Sequence, residues 1–140
     1  MNLVTIVIPG KPGHWRRSRT NGKRHFLHPS SKEERERIQL HAKRAWPHGP
    51  LDKSVTVTID AFFPRTKARP KGVAKEVWQS GVALPKVTRG DVDNIGKQVL
   101  DACNHILWHD DALVTDLRVR KFWSADGSDP CTLVMMRWSE

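Results

Sequence analysis

Residues 89–121 hold an unusual amount of acid for a chain that is otherwise strongly basic. Eight of the chain's 15 acidic residues lie between Asp91 and Asp129, where only four lysines and arginines accompany them. Like charges placed close together cost stability unless cations, protonation or a bound metal ion offset them. A metal ion is the offset that would perform chemistry. Asp91 and Asp93 are two residues apart where a helical pattern begins, so one cation could bridge their carboxylates.

The helix that follows this pair is predicted by its periodicity. Apolar residues recur at helical spacing from Ile95 to Ile106 and form one inner face, whereas Asp93 and Lys97 fall on the polar side. At the helix start, Asp91 or Asp93 could equally be an N-cap, because a carboxylate accepts hydrogen bonds there and is favoured by the helix dipole. The pair alone therefore fits a metal site or a helix cap.

A second acidic pair, Asp110 and Asp111, comes directly before an alternating segment that predicts a half-buried strand over residues 113–121. A helix followed by a returning strand brings the second pair near the first only if the chain doubles back suitably. An acidic pair of this kind is also common in turns. Taken alone, it fits either role.

The spacing of these residues resembles the RusA family of Holliday-junction resolvases, which are metal-dependent endonucleases. The shared pattern is D-x-D-N-x-x-K-x-x-x-D-A, then D-D, then a strand ending in lysine, and it matches Asp91, Asp93, Asn94, Lys97, Asp101, Ala102, Asp110, Asp111 and Lys121. The resemblance implies that Asp91, Asp93 and Asp111 are the metal-binding catalytic carboxylates and that Lys97 is the catalytic lysine. It also implies supporting roles around the metal for Asn94, Asp101, Asp110 and Lys121.

Two other metal sites are excluded by spacing. An EF-hand calcium loop beginning at Asp91 would need a glutamate at its last position, where Ala102 stands, and would place Ile95 among its ligands. A structural zinc site is not expected, because the chain's two cysteines, Cys103 and Cys131, do not form a Cys-x-x-Cys pair.

The chain as a whole has 24 lysines and arginines against 15 acidic residues, a formal net charge of +9. Such a protein is expected to bind a polyanion, most commonly nucleic acid. Two cysteines without a pattern indicate a reducing compartment, so we expect no disulfide and a cytoplasmic location, in the host cell if a phage encodes the chain. No signal peptide and no long apolar run is present, so we expect no membrane partner.

Two segments carry most of the excess basic residues. Residues 11–28 contain no acid, and residues 64–89 contain many more cations than acids. A run of cations without internal partners is predicted to contact phosphates, although a solvated loop has the same composition. The residues expected to bind DNA are Lys11, Arg16, Arg17, Arg19, Lys23, Arg24, Arg65, Lys67, Arg69, Lys71, Lys86 and Arg89.

The order of elements predicts the fold class. Strands are expected over residues 3–8, 55–63, 113–123 and 132–138, and a first helix from about residue 30 to Trp46. We therefore predict a single α+β domain over residues 1–140, with a mixed sheet of about four strands and two main helices packed on it. The last two strands are expected to pair as a hairpin. The family resemblance implies the same fold.

The functional expectation is hydrolysis of phosphodiester bonds in DNA. Mg²⁺, with Mn²⁺ as a substitute, would be held by the three aspartates. The expected substrate is a four-way junction and the expected assembly is a homodimer, because two symmetry-related strands must be nicked. Two alternatives stay open from the residues alone: a metal-dependent nuclease acting on forks, flaps or RNA, and a basic nucleic-acid-binding module without catalysis.

Overall fold

A computed structural model describes residues 1–13, 19–21, 24–26 and 29–140, with the backbone alone described for 19–21 and 24–26. Its strands are β1 (Asn2–Pro9), β2 (Arg19–Asn21), β3 (Arg24–Phe26), β4 (Val55–Phe63), β5 (Leu84–Pro85), β6 (Val114–Trp123) and β7 (Cys131–Trp138). Its helices are α1 (Pro29–Ala45), α2 (Lys75–Gln79) and α3 (Val92–Cys103), and a single 3-10 turn, Asp111–Leu113, precedes β6.

The main sheet is mixed, with strand order β1-β7-β4-β6-β5. β4 and β6 run parallel, and every other neighbouring pair is antiparallel. The predicted α+β class with a mixed sheet is confirmed, and the strand beyond the expected four is the two-residue β5. β2 and β3 form a separate small hairpin within the first basic segment.

The predicted hairpin between the last two strands is wrong. β7 pairs with β4 on one side and with β1 on the other, so β4 separates it from β6. The loop of residues 124–130 starts where Ser124 N donates to Phe63 O at 2.8 Å, and it passes over the end of β4. Strands lie about 4.8 Å apart, so a loop of this length easily crosses one strand. Strands β6 and β7 are therefore adjacent in sequence but not in the sheet.

Helices α1 and α3 pack against each other and against the sheet. The predicted inner face of α3 is buried at Ile95, Val99 and Ala102, where it completes the core with the inward residues of the strands. Gly96 makes the close approach of α3 to β6 possible, because a Cβ there would lie 3.0 Å from Val119 Cγ2. Burial of this apolar face fixes the position of α3, and with it the positions of Asp91 and Asp93 at its N-terminal end.

The second basic segment is not a featureless loop. It contains α2 and β5, and the guanidinium of Arg65 ties it together. That group donates to the carbonyls of Ser124 (2.9 Å), Trp78 (2.9 Å) and Val82 (2.8 Å), and it lies 4.0 Å from the centre of the Trp78 ring. Arg65, predicted to contact DNA, therefore uses three of its hydrogen-bond donors to hold the backbone of this segment.

No helix in the described ranges is long and apolar enough to cross a bilayer. Cys103 and Cys131 are both free thiols, as expected from the absence of a cysteine pattern.

Candidate active site

Asp91 stands at the start of α3 with its carboxylate uncommitted. Its backbone is extended (φ −70°, ψ 138°), and Asp91 O accepts from Ile95 N at 3.1 Å to begin the helix. The side chain, however, accepts no capping hydrogen bond from the first turn. Asp91 thus occupies the N-cap position without using its carboxylate as a cap. The residue is exposed, so its oxygens are available to a ligand.

The position of Asp91 depends on the glycine before it. Gly90 has φ +100°, in the region that residues with a Cβ rarely adopt. A Cβ at this position would also lie 3.4 Å from Phe63 Cζ. The sharp turn at Gly90 lets the chain leave the second basic segment and enter α3 within one residue. Glycine is therefore required where the cations end and the acids begin.

A hollow of about 210 Å³ opens beside Asp91. We call it the Asp91 hollow, and its lining comprises Gly13, Phe63, Arg89, Gly90, Asp91, Asn94 and Ile95. Asp91 and Asn94 present oxygen donors on an apolar floor, and Arg89 supplies a cation. Asp93 is exposed in the first turn of α3, and Lys97 is exposed one turn further on.

Two lysines brace the residues that lead into Asp91. Lys121 Nζ donates to Thr88 O at 2.6 Å, and Lys86 Nζ donates to Arg89 O. Lys86 N also donates to Lys121 O at 3.2 Å, which joins the two residues across the end of the sheet. Lys121, expected to support the site, therefore holds the backbone three residues before Asp91.

Lys86, which the second basic segment offers as a DNA contact, is only 8% exposed. Its ammonium lies 4.6 Å from the centre of the Phe63 ring and 5.1 Å from that of Trp123. Burial lowers the pKa of Lys86, and the charges of Lys121 and Lys11 lower it further. The sequence carries no clear signal for this placement, since the neighbouring Pro85 and Val87 are exposed.

Asp111 lies at the other end of α3. Asp111 Oδ1 accepts from the indole Nε1 of the fully buried Trp108 at 3.0 Å. Its charge also reaches Cys103, the last residue of α3, where burial first and Asp111 second raise the thiol pKa to about 12. The neighbouring Asp110 caps the 3-10 turn, since its Oδ1 accepts from Ala112 N at 2.8 Å.

The length of α3 separates the two acidic pairs. Its 12 residues span roughly 18 Å at 1.5 Å per residue, with Asp91 before the first and Asp111 near the last. Within the described ranges, no three Asp, Glu, His or Cys side chains are grouped closely enough to hold a metal ion. One chain therefore brings Asp91 and Asp93 together by sequence but does not add Asp111.

The family model for the endodeoxyribonuclease RusA matches residues 9–132. The chain belongs to the RusA family. The match includes both acidic pairs and both basic segments, and it confirms the resemblance found in the sequence. The uncharacterized protein YqaN of Bacillus subtilis (strain 168) is similar to this chain, with 32% identity over 141 residues that cover 98% of this chain and 97% of YqaN.

RusA proteins are DNA endonucleases that resolve Holliday junctions, and several of the cations predicted to contact DNA are exposed in this chain. Lys11 and Arg89 are exposed near Asp91, and Lys67 and Lys71 are exposed further along the second basic segment. Arg69 is exposed but donates to Val73 O at 2.7 Å. Outside the described residues or side chains lie Arg16, Arg17, Arg19, Lys23 and Arg24.

The start of the first basic segment is fixed by residues that charge patterning did not single out. Glu34 accepts from Gly13 N at 3.2 Å and pairs with Arg37, whose guanidinium also donates to the carbonyls of Pro9 and Lys11. The segment is thereby anchored to α1 where it passes the Asp91 hollow. Asn94 and Asp101, both half-buried on α3, complete the residues expected around the site.

RusA resolvases generally depend on a divalent metal, and the donors beside the Asp91 hollow suit Mg²⁺. Mg²⁺ prefers oxygen ligands, keeps several waters and uses only one or two carboxylates together with substrate phosphates. Asp91 offers an exposed carboxylate that the helix does not use, and Asp93 follows in the first turn. The side chains present therefore fit the ion.

Proposed function

We propose that this RusA-family protein is a Mg²⁺-dependent endonuclease that resolves four-way DNA junctions by paired nicks. The observation that carries the proposal is the uncommitted carboxylate of Asp91, exposed at a helix start near the exposed cations Arg89 and Lys11. A cation-rich surface attracts the DNA backbone. A carboxylate on that surface would repel the phosphates, so it can help in catalysis only if a bound metal cation lies between it and the phosphate.

Asp91 and Asp93 would hold the Mg²⁺, and Mn²⁺ would substitute for it. When bound, the ion makes a water molecule more acidic and neutralises charge on the leaving oxygen. The exposed ammonium of Lys97 lies one helical turn beyond Asp93 and would orient the scissile phosphate. Arg89, at the edge of the Asp91 hollow, would hold the same strand against the helix start.

A homodimer would give Asp111 a place in this site. In a two-fold pair whose α3 helices run antiparallel, Asp111 of one chain lies toward Asp91 and Asp93 of its partner. The separation of the acids by the length of α3 supports this arrangement, because no similar approach occurs within the described part of one chain. Two such composite sites would also face the two strands that a resolvase must nick.

Mixing inactive variants tests the composite site. Asp91→Asn and Asp111→Asn proteins are each expected to be inactive, but a dimer of unlike chains has one site in which all three carboxylates are intact. After subunit exchange, half of the dimers are mixed, so about a quarter of wild-type nicking should return. No recovery, with exchange verified by differently tagged chains, would place the whole site within one chain.

Cleavage of a defined substrate panel tests the activity itself. Purified protein is incubated with a four-way junction, a fork, a flap, a linear duplex and RNA, with and without Mg²⁺. We expect Mg²⁺-dependent nicks at symmetric positions in the junction. Preferential cleavage of the fork, flap or RNA would reassign the substrate, and binding without cleavage would leave a non-catalytic module.

A further inference from the structure

A second hollow adjoins the Asp91 hollow and differs from it in charge. Its volume is about 300 Å³, and we call it the basic hollow. It is lined by Lys11, Phe63, Pro64, Arg65, Thr66, Lys86, Arg89 and Trp123. Phe63 and Arg89 line both hollows, so the two are neighbours. Four of the eight lining residues are basic and none is acidic, so the basic hollow attracts anions.

No carboxylate within the described ranges forms an ion pair with these cations. The two ion pairs found there, Glu34–Arg37 and Asp60–Arg120, both involve other arginines. The segment of residues 14–28, whose side chains are not described, contains no aspartate or glutamate that could supply a partner. The positive charge of the basic hollow is therefore left for an external anion to offset.

The cations in and beside the basic hollow repel one another. After burial, the charges of Lys121 and Lys11 are the causes that lower the pKa of Lys86. Neighbouring positive charges act in this direction because they disfavour a further proton. A bound anion would relieve the repulsion and favour the charged form of Lys86. An anion bound in the basic hollow is therefore stabilised more strongly than one bound to a single isolated surface lysine.

The aromatic floor favours a phosphate over a nucleobase. Phe63 and Trp123 are buried, and the ammonium of Lys86 lies over both rings. Ring faces occupied by a cation are closed to a stacking base. Lys11 and Arg89 are exposed at the edge of the hollow, where their donors can reach an anion. Arg65 contributes positive charge but no hydrogen bonds to the anion, because its donors already bind backbone carbonyls.

We propose that the basic hollow binds a phosphate group that neighbours the scissile phosphate on the cleaved strand. Lys11 and Arg89 donate to its oxygens, and Lys86 provides a buried positive charge beneath it. The inference rests on the proposed function, because the hollow adjoins the site at Asp91. Binding one phosphate there fixes the register of the strand and so determines which bond meets Asp91.

A phosphate-replacement scan tests this assignment without cleavage. Junctions carrying one uncharged methylphosphonate, moved stepwise through the strand near the crossover, are bound in EDTA. At one position, wild-type affinity should fall about three- to tenfold. The double variant Lys11→Gln/Arg89→Gln should bind the natural junction more weakly by a similar factor and be indifferent to that replacement. Its logarithmic salt slope should be smaller by about 0.9.

The matched control is Lys67→Gln/Lys71→Gln, which removes two exposed cations of the same segment that do not line the hollow. It should keep the wild-type response to the replacement. A double variant at Lys11 and Arg89 that stays as sensitive as wild type at every position would overturn the proposal. Failure of the proposed function would appear separately, as binding with this pattern but no Mg²⁺-dependent cleavage.

Inorganic phosphate distinguishes a DNA subsite from a site for a free anion. Phosphate should displace junction DNA from the wild type more effectively than chloride at equal ionic strength, and this advantage should be lost in Lys11→Gln/Arg89→Gln. If phosphate binds in this way while no methylphosphonate position matters, the hollow serves a free anion and the DNA assignment is wrong.

Discussion

Asp111 is expected to have two separable roles, and two substitutions distinguish them. Its Oδ1 accepts the indole hydrogen of Trp108, a residue with no exposed surface. Asp111→Ala leaves that buried donor without an acceptor, which costs about 1–3 kcal/mol of unfolding free energy. Asp111→Asn keeps an amide oxygen for Trp108 but removes the negative charge that a metal ligand needs.

The assay pairs thermal unfolding with junction cleavage. Each kcal/mol lowers Tm by roughly 3–5 °C for a domain of this size. We expect Asp111→Ala to melt well below the wild type and Asp111→Asn to melt close to it. Both should lose more than tenfold in cleavage rate at saturating Mg²⁺, a loss above about 1.4 kcal/mol.

Asp116→Asn is the control, because Asp116 is exposed on the neighbouring strand and the substitution removes the same charge. It should match the wild type in Tm and rate. Asp111→Asn with more than a tenth of the wild-type rate would show that Asp111 is not a metal ligand. Asp111→Ala with an unchanged Tm would refute the account of its bond to Trp108.

Three further substitutions or reactions probe the surroundings of the site. Gly90→Ala forces a Cβ into a positive-φ position, so unfolding free energy should fall by about 1–2 kcal/mol with a loss of cleavage; unchanged denaturant midpoint and rate would contradict the need for glycine. Arg65→Lys cannot reproduce three bonds to three carbonyls, so proteolysis between residues 66 and 83 should accelerate, whereas Lys67→Gln should not change it. Cys103, whose pKa is raised to about 12, should resist iodoacetamide at pH 8 in the native protein, and mass spectrometry showing rapid alkylation would indicate that α3 opens.

Elements whose signal is local were predictable from the sequence. The inner face of α3 follows from apolar residues at helical spacing, and its buried positions Ile95 and Val99 are as predicted. Strand β4 alternates apolar and polar residues from Val55 to Ala61 and ends at Phe63 as expected. In both cases the apolar residues themselves indicate the buried face; the exception in β4 is Asp60, which is buried and paired with Arg120.

Partners that are distant in sequence were not predictable in the same way. The position of β7 between β1 and β4 depends on which strand edges remain unpaired, and no residue of β7 encodes that choice. Likewise, Lys86 and Arg65 look like ordinary members of a basic loop. Whether a cation serves a backbone carbonyl or a phosphate depends on where the chain folds back over it, and charge counts do not contain that information.

The length of α3 links catalysis to assembly in the proposed function. The 12 residues of α3 span roughly 18 Å, with Asp91 before the first of them and Asp111 near the last, and within the described ranges Asp111 forms no metal-binding group with Asp91 and Asp93. If all three carboxylates serve one metal site, the third must come from a second chain. A monomer would then be unable to nick DNA, and every active particle would carry two sites related by two-fold symmetry. Dimerisation would thus ensure that the enzyme is active only in the form that can cut both strands of a junction.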